Sequence, residues 1–562
     1  MNDCVLRWLV VCVWVAISVS GIDWGLPSQQ ADRFLFASQP RWDGKTLQSF
    51  DAERVDPRLG SDVDRDPVRT TTATVQDAPI VVTSDNNARA QIIRRYRLFS
   101  HQPDEMITFM ALQQMNPSNL DFDPRLYQYG GLWIYPVGAM LKAANQFGLI
   151  ELRADKSFYY ENPDAFGRFY IVARAYTAMW YALAMIATAM IVTRLTGHAL
   201  TGTIAAGIVG ALPVVFAMAH EAKPHLGGTA LMLCAALACA RMTRTTHKRD
   251  AIAAGVCIGA AAGMVLSAAV ALLMLPVAVL LAVAPWGKRF TLLTLGFCAA
   301  VCAYAVTNPY VIINALTHDP ALASNFGNTR AMYQPGAFTD AIRDGAGHFV
   351  QAASWPVLIA ALGAVVMLCV RRNAAPALAW ILIVPASAVT IQFFLLAAGK
   401  PGEYARFALF PACCVVIVCA WGIAQMRHVV LRNTALMFLL TLVFYTSTLH
   451  YVRAFAADTG STHTRAIAAA AIRLQATRPA SATLQIFAEP APYSMPPVDL
   501  WHWRVVLSRP GDALIGDAVI RPIDHPTRLP PPPSGYTRTV IDDDSKAVPI
   551  TWANKPFELL IK

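Results

Sequence analysis

Long apolar runs separated by short polar connectors dominate the chain. The runs cover 5–20, 169–193, 200–219, 226–243, 251–266, 269–285, 289–307, 355–370, 377–397, 406–424 and 432–450. Each approaches the roughly 20 residues that a helix needs to cross hydrocarbon. The connectors are basic: Arg194, then Arg241, Arg244, Lys248 and Arg249, then Lys288 and Arg289, Arg371 and Arg372, Arg427 and Arg432. Basic short loops mark the cytoplasmic side. Eleven crossings on that rule place the amino terminus inside and the carboxyl tail outside, and every intervening loop obeys it. Run 251–285 reads either as one long broken helix or as a tight hairpin around Ser267. Run 5–20 reads as a first membrane helix; the small residues Ser18-Val19-Ser20 also suit a signal peptide, although Arg7 and Trp8 interrupt the usual basic-then-apolar division. A further apolar stretch, 131–149, is interrupted by Lys142 and Asn145 and reads as an amphipathic helix along the membrane surface.

Four segments follow: a first membrane helix at 1–20, an extracytoplasmic loop at 21–168, a helical bundle at 169–450 and an extracytoplasmic domain at 451–562. The loop carries an irregular Pro- and Asp-rich insert around 51–90. A second outer loop, 308–354, holds Asn308-Pro309-Tyr310 and the stretch Asn325 to Arg330, and is expected to close over a bound substrate. In the tail, 463–476 is Ala-rich with helical spacing, 483–488 and 514–520 read as strands, and Pro530 to Pro533 form a polyproline connector. No internal repeat is visible.

Composition agrees with this reading. The 562 residues are 55% hydrophobic and only 15% charged, against about 25% charged in soluble domains, and mean hydropathy is positive. The net charge of +10 lies in the connectors between apolar runs, which excludes a nucleic-acid patch. All eleven cysteines fall within apolar runs, where they read as small packing residues rather than disulfides or metal ligands.

The spans are nearly free of ionisable groups, Arg174 excepted, so no ion or proton relay crosses the membrane and solute pumping is disfavoured. Polar residues concentrate on the outer face in three clusters: Asp104-Glu105, the turn His220-Glu221-Ala222-Lys223-Pro224-His225, and Lys400-Pro401-Gly402-Glu403-Tyr404-Ala405-Arg406. A carboxylate facing several cations is what glycosyl transfer from a lipid phosphate requires. The carboxylate takes the acceptor proton, and the cations neutralise the departing phosphate.

These residues resemble the GT-C membrane glycosyltransferases, in particular relatives of protein O-mannosyltransferases and aminoarabinose transferases. The resemblance rests on an Asp-Glu pair in the first outer loop, a helix after it, the Tyr135-Pro136 element before the second span, and Arg406 before a late span, over roughly 100–425. It implies a GT-C-like, α-helical polytopic fold of about eleven helices with a small α/β carboxyl-terminal domain, in a bacterial inner membrane. It further implies a polyprenyl-phosphate-linked sugar as donor and an unidentified glycan, lipid or protein as acceptor. Asp104 is then the general base and Glu105 its companion. Lys223, His225, Lys400 and Arg406 bind the donor phosphate, while Glu221, Tyr127, Tyr129 and Tyr135 line the substrate. No cofactor is required, with a divalent metal conceivable at His220 and Glu221. The Asp-Glu pair follows the first span by over eighty residues, later than the pattern expects, which leaves Asp23 and Asp32 as competing bases.

Plainer readings exist for each cluster. Asp104-Glu105 after Pro103 suits the first turn of a helix; His220, Lys223 and His225 suit interfacial anchors; Lys400 and Arg406 suit contacts to lipid headgroups; the tyrosines suit an aromatic belt. The rival functions are a non-catalytic scaffold or sensor with a partner-binding tail, and a transporter or flippase.

Overall fold

The computed structural model describes residues 3–50, 80–81, 86–319, 321–323, 325, 327, 334–371, 375–458, 464–474, 482–487, 495–508, 512–523, 531–541 and 548–562. Most of the irregular insert, most of 326–330 and Pro530 of the polyproline run lie outside these residues. The chain divides into two compact units. The first comprises Met1–Ser20, Ala111–Gly138 and Arg174–Tyr451; the second comprises Gly21–Met110, Ala139–Ala173 and Val452–Lys562.

The first unit is helical, and each of the eleven apolar runs is largely helix. Among the described residues, six helices are long and apolar enough to cross a membrane, or up to eight if two bent pairs each count as one span. Some of the eleven expected runs fall outside this count because their helices are short. Asp3–Val19 and Lys248–Met264 have 17 residues each, about 25 Å at 1.5 Å per residue, short of the roughly 30 Å of hydrocarbon. Run 251–285 breaks at Val265, whose backbone is extended, into Lys248–Met264, a 3-10 segment Leu266–Leu273 and the helix Met274–Leu281. The second outer loop is not irregular: it holds Pro309–Thr317 and Phe338–Ala353, the latter meeting Trp355–Arg371 at 95°. Trp286–Thr307 is only 17% buried over its apolar window, with Phe290, Phe297 and Val306 facing outward. Such a surface is stable in lipid and unstable in water, and the protein is a multi-pass membrane protein.

Small residues bring helices close. Gly255, Gly259 and Gly263 fall on one face of Lys248–Met264 at four-residue spacing. A Cβ on Gly255 would come within 2.1 Å of the Gly296 carbonyl, and one on Gly259 within 2.1 Å of the Ala300 carbonyl. Lipid offers no hydrophobic drive between helices, so this close backbone approach supplies the contact. At the amino-terminal helix, Trp14 packs edge-on to Phe216 and Phe444.

The second unit holds a six-stranded sheet in the order β1-β3-β2-β4-β6-β5. The strands are β1 (Ile80–Val81), β2 (Thr483–Ile486), β3 (Arg504–Leu507), β4 (Ala518–Pro522), β5 (Thr537–Ile541) and β6 (Phe557–Ile561). The three central strands are parallel, β2 pairing with β3 and β4 on either side. The antiparallel edges are β1 on β3, and β6 and β5 beyond β4. The two strands read from the tail's sequence appear, shortened to 483–486 and shifted to 518–522, and its helix appears as Thr464–Leu474. The core joins distant segments: Ile93 and Tyr96 of Asn86–Leu98, and Ile472 of Thr464–Leu474, pack with Leu484, Val505, Ile520 and Phe557. Buried positions 92, 93 and 96 fall on one helical face, which is why Asn86–Leu98 folds as a helix despite its arginines.

Gly259→Val should separate its helix from Trp286–Thr307 and cost about 1–3 kcal/mol, as overpacking does. A thermal-shift series in detergent comparing it with Gly287→Val, where a Cβ meets nothing within 4 Å, checks this: only the first should lower the midpoint.

Candidate active site

The first unit contains a cavity of about 240 Å³ at two helix breaks. Val265, Ser267 and Ala268 come from the break after Lys248–Met264, and His225, Thr229 and Met232 from His225–Thr245. Gln392 and Phe393 come from Ala377–Leu395, and Glu403, Tyr404, Arg406 and Phe407 from the 3-10 segment Gly402–Ala408. Lys400 lines it as well. The structure thus gathers His225, Lys400 and Arg406, three of the four side chains expected to bind phosphate, around one space.

Local geometry sets their positions. In a 3-10 helix residues i and i+3 eclipse, so Glu403 and Arg406 face each other, 3.7 Å apart. The Arg406 guanidinium also lies 5.1 Å from the Phe407 ring centre. The turn before it is anchored on two sides. The Gly399 N–H donates to Asp344 Oδ2 at 3.0 Å, and His348 Nε2 lies 2.9 Å from the Lys400 carbonyl. Tyr404 stacks on Phe393 at 4.9 Å and donates its hydroxyl proton to the Phe393 carbonyl at 2.9 Å. His225 sits edge-on to Phe407 at 5.5 Å and to Tyr129 at 6.2 Å. The polar wall carries two formal cations against one carboxylate, and Val389, Leu396 and Phe410 make the rest apolar.

Lys223 does not line that cavity. It is fully buried and lies 3.1 Å from Glu221 Oε2, itself fully buried, so its charge is balanced two residues away. The Glu221 carbonyl accepts from Thr177 Oγ1 at 2.9 Å. His220 turns inward, with Nδ1 2.9 Å from the Phe216 carbonyl, and burial pulls its pKa down to about 4, so the ring is neutral. Among the described residues no three His, Cys, Asp or Glu side chains come together where they could hold a metal ion. Tyr127 donates to Asp123 Oδ1 at 2.7 Å, in a network with Asn314, and Tyr135 donates to the Phe122 carbonyl at 3.3 Å. Burial pushes both phenols up, Tyr127 further through Asp123 and Tyr135 to about 12, so both remain neutral. Neither is among the residues lining the cavity.

Asp104 and Glu105 belong to the second unit. They close the single 3-10 turn Pro103–Glu105 that starts the helix Met106–Gln114. Glu105 is fully buried and accepts from the Ser100 hydroxyl, whereas Asp104 is half-buried. The pair therefore divides into an inner carboxylate that fixes the turn and an outer one that reaches its surroundings. Of the competing bases, Asp32 is held by Arg41 at 2.8 Å and by the buried Arg97 at 2.9 Å, a structural knot that Glu161 completes through Arg41. Partial burial raises the Glu161 carboxyl, but Arg41 and the Gly44 N–H outweigh it and its pKa falls below the ordinary 4.5. Asp23 is exposed and lines a second cavity, of about 260 Å³, in the second unit. No sequence signal marked that cavity, because its walls come from segments hundreds of residues apart.

No protein-family model matches the chain, and no curated protein matches it. It is similar to solved structures. ArnT from Cupriavidus metallidurans bound to undecaprenyl phosphate shows 12% identity and a TM-score of 0.42, over 82% of this chain and 93% of that one. The archaeal oligosaccharyltransferase AglB from Archaeoglobus fulgidus, in complex with an inhibitory peptide and a dolichol-phosphate, shows 13% identity and a TM-score of 0.39, over 80% and 56%. The arabinofuranosyltransferase AftD from Mycobacteria shows 13% and 0.42, over 90% and 32%. At such identities and TM-scores, what those proteins bind or transfer belongs to them.

Asp32→Ala leaves the buried Arg97 without its carboxylate, and losing one member of a buried pair costs about 3–5 kcal/mol. Thermal unfolding should show a large fall for that variant and little change for Asp104→Asn. The Glu161 contribution should be intact above about pH 4.5 and vanish as pH drops through its lowered value; unfolding followed against pH for Glu161→Gln should show no such acid loss.

Proposed function

We propose that this chain is a membrane glycosyltransferase that moves a sugar from a polyprenyl phosphate to an acceptor on the extracytoplasmic face of a bacterial inner membrane, with its amino terminus cytoplasmic and its carboxyl-terminal domain outside. The observation that supports it best is the cavity in which Lys400, Arg406 and His225 meet an apolar wall. Its cationic end suits the phosphate and its apolar side the first isoprene units. The order of the Asp104-Glu105 pair, the His220–His225 turn and the Lys400–Arg406 turn is the motif order of the GT-C enzymes.

In the reaction so proposed, Asp104 accepts the proton of the acceptor hydroxyl or amine as its oxygen or nitrogen attacks the anomeric carbon. The bond from that carbon to the phosphate oxygen breaks, and its electrons leave with the lipid phosphate. Lys400 and Arg406 stabilise the charge gathering there, with His225 beside them. Attack from the face opposite the phosphate inverts the anomeric configuration. Glu105 keeps Asp104 in place through the Ser100 turn and takes no proton. Before donor binds, Glu403 holds Arg406 at ion-pair distance; a phosphate entering the cavity offers that guanidinium a doubly acceptor-rich partner. Lys223, paired with Glu221, shapes the turn that presents His225.

Purified protein incubated with a panel of polyprenyl-phosphate sugars should release free polyprenyl phosphate. Asp104→Asn should lower that rate by about a thousandfold, within the range for a lost general base, while retaining donor binding. Undiminished release by Asp104→Asn would refute the assignment. Arg406→Gln should raise the donor KM by about tenfold to a hundredfold, the value of one charged hydrogen bond, with a smaller effect on kcat; an unchanged donor KM would remove Arg406 from the phosphate site.

A further inference from the structure

The second unit's cavity has a built floor. Arg465 is fully buried, with Nη1 2.8 Å from His101 Nδ1 and 3.8 Å from Asp458 Oδ2. His101 Nδ1 also lies 3.0 Å from that carboxylate. Gly25 links the two walls: its N–H donates to the Asp458 carbonyl at 2.9 Å and its carbonyl accepts the His101 N–H at 2.7 Å. Its φ of +58°, and a Cβ position 2.7 Å from the His101 side chain, admit only glycine there. The rim carries Asp23, Arg33 and Asp164. A second cavity of about 190 Å³ shares Phe34 and Pro497 with the first and adds Arg473, Asp499 and His502. Together the two form a groove in the size range of ordinary ligand sites, about 300–1,000 Å³.

The lining mixes polar side chains with apolar ones, and its charges nearly cancel. The first cavity sets Asp23, Asp164 and Asp458 against Arg33, Arg465 and His101, and the second sets Asp499 against Arg473. An anion meets four carboxylates against three guanidiniums, and a cation meets those guanidiniums in turn. A molecule dense in hydroxyls finds donors and acceptors on every side and apolar faces at Phe34, Phe99 and Trp503. The donor cavity differs in being net positive. We infer that this groove binds a neutral oligosaccharide, and, on the glycosyltransferase reading above, that this oligosaccharide is the acceptor. His101 lines the groove and Asp104 follows three residues later in the same unit, a chain separation of at most about 11 Å.

Binding decides the matter without turnover. The full-length protein in nanodiscs is titrated by saturation-transfer NMR with neutral tetrasaccharides of glucose, mannose, galactose, xylose and arabinose, alongside inorganic phosphate and glucuronate. At least one neutral glycan should bind, and Asp23→Asn with Arg33→Gln, both on exposed positions, should weaken it about tenfold or more. The charged probes should bind more weakly than the glycan. Absence of binding by every neutral glycan, tighter binding of phosphate or glucuronate, or unchanged affinity in the double variant each overturns the inference. A protein that binds glycan but releases no polyprenyl phosphate would fail as a transferase while keeping this site; the reverse result would leave the transferase reading and remove this site.

Discussion

Inside hydrocarbon a backbone amide has no water to turn to, so a spanning chain stays helical unless a protein-lined space accepts the departure. The first unit departs from helix at two places that matter, and both border the same cavity. One is Val265 with its extended backbone and the 3-10 segment after it; the other is the 3-10 segment Gly402–Ala408. The site is thus a product of where the helices break. Tighter winding there sets Glu403 over Arg406, and the break after Met264 brings Ser267 to the opposite wall. The same constraint explains why ionisable groups are scarce along the spans and gathered at these ends.

Holding short helices beside breaks demands close packing. Asp3–Val19, Lys248–Met264 and Trp355–Arg371 are each only 17 residues long, so their stability comes from neighbours more than from a deep seat in lipid. The glycine seam of Lys248–Met264 supplies such contact by letting backbone carbonyls stand where side chains would otherwise intervene. Lys248–Met264 ends at the break, so the seam also fixes where the cavity wall begins.

The apolar runs were legible because each is longer than any competing element, and the clusters at 220–225 and 400–406 stood out against them. The 3-10 character of 402–408 was not legible, since hydropathy does not distinguish one helical winding from another. Lys223 shows the limit of reading charge by neighbourhood: its partner Glu221 stands two residues away, and nothing in the spacing says which way either side chain turns. The strands β3, β5 and β6 escaped notice for a different reason. Central parallel strands read as short apolar runs without alternation, and β6 carries Glu558 in its middle. The knot of Asp32, Arg41, Arg97 and Glu161 joins positions up to 120 residues apart, a distance over which sequence pattern carries no pairing information.

Buried charge in the sheet unit is neutralised pair by pair, and that bears on what the unit can do. In the sheet, Glu558 is fully buried between Arg521 of β4 and Arg538 of β5. A slip by one residue in either pairing would turn one arginine to the other face and leave the carboxylate half-compensated. Ion pairs of this kind add little net stability, but they specify one register among several that the apolar residues alone would accept. Asp32 with Arg97, and Asp458 with Arg465, fix the helices around the sheet by the same device. A unit whose charges are consumed in this way is rigid and nearly neutral inside, suited to hold a polar molecule by shape and hydrogen bonds. In the membrane unit, Lys223 and Glu221 form a buried pair 3.1 Å apart, and at the cavity Glu403 stands 3.7 Å from Arg406, longer than a hydrogen bond. On the glycosyltransferase reading, the two formal cations and one carboxylate of that cavity wall are what the phosphate of the donor would meet.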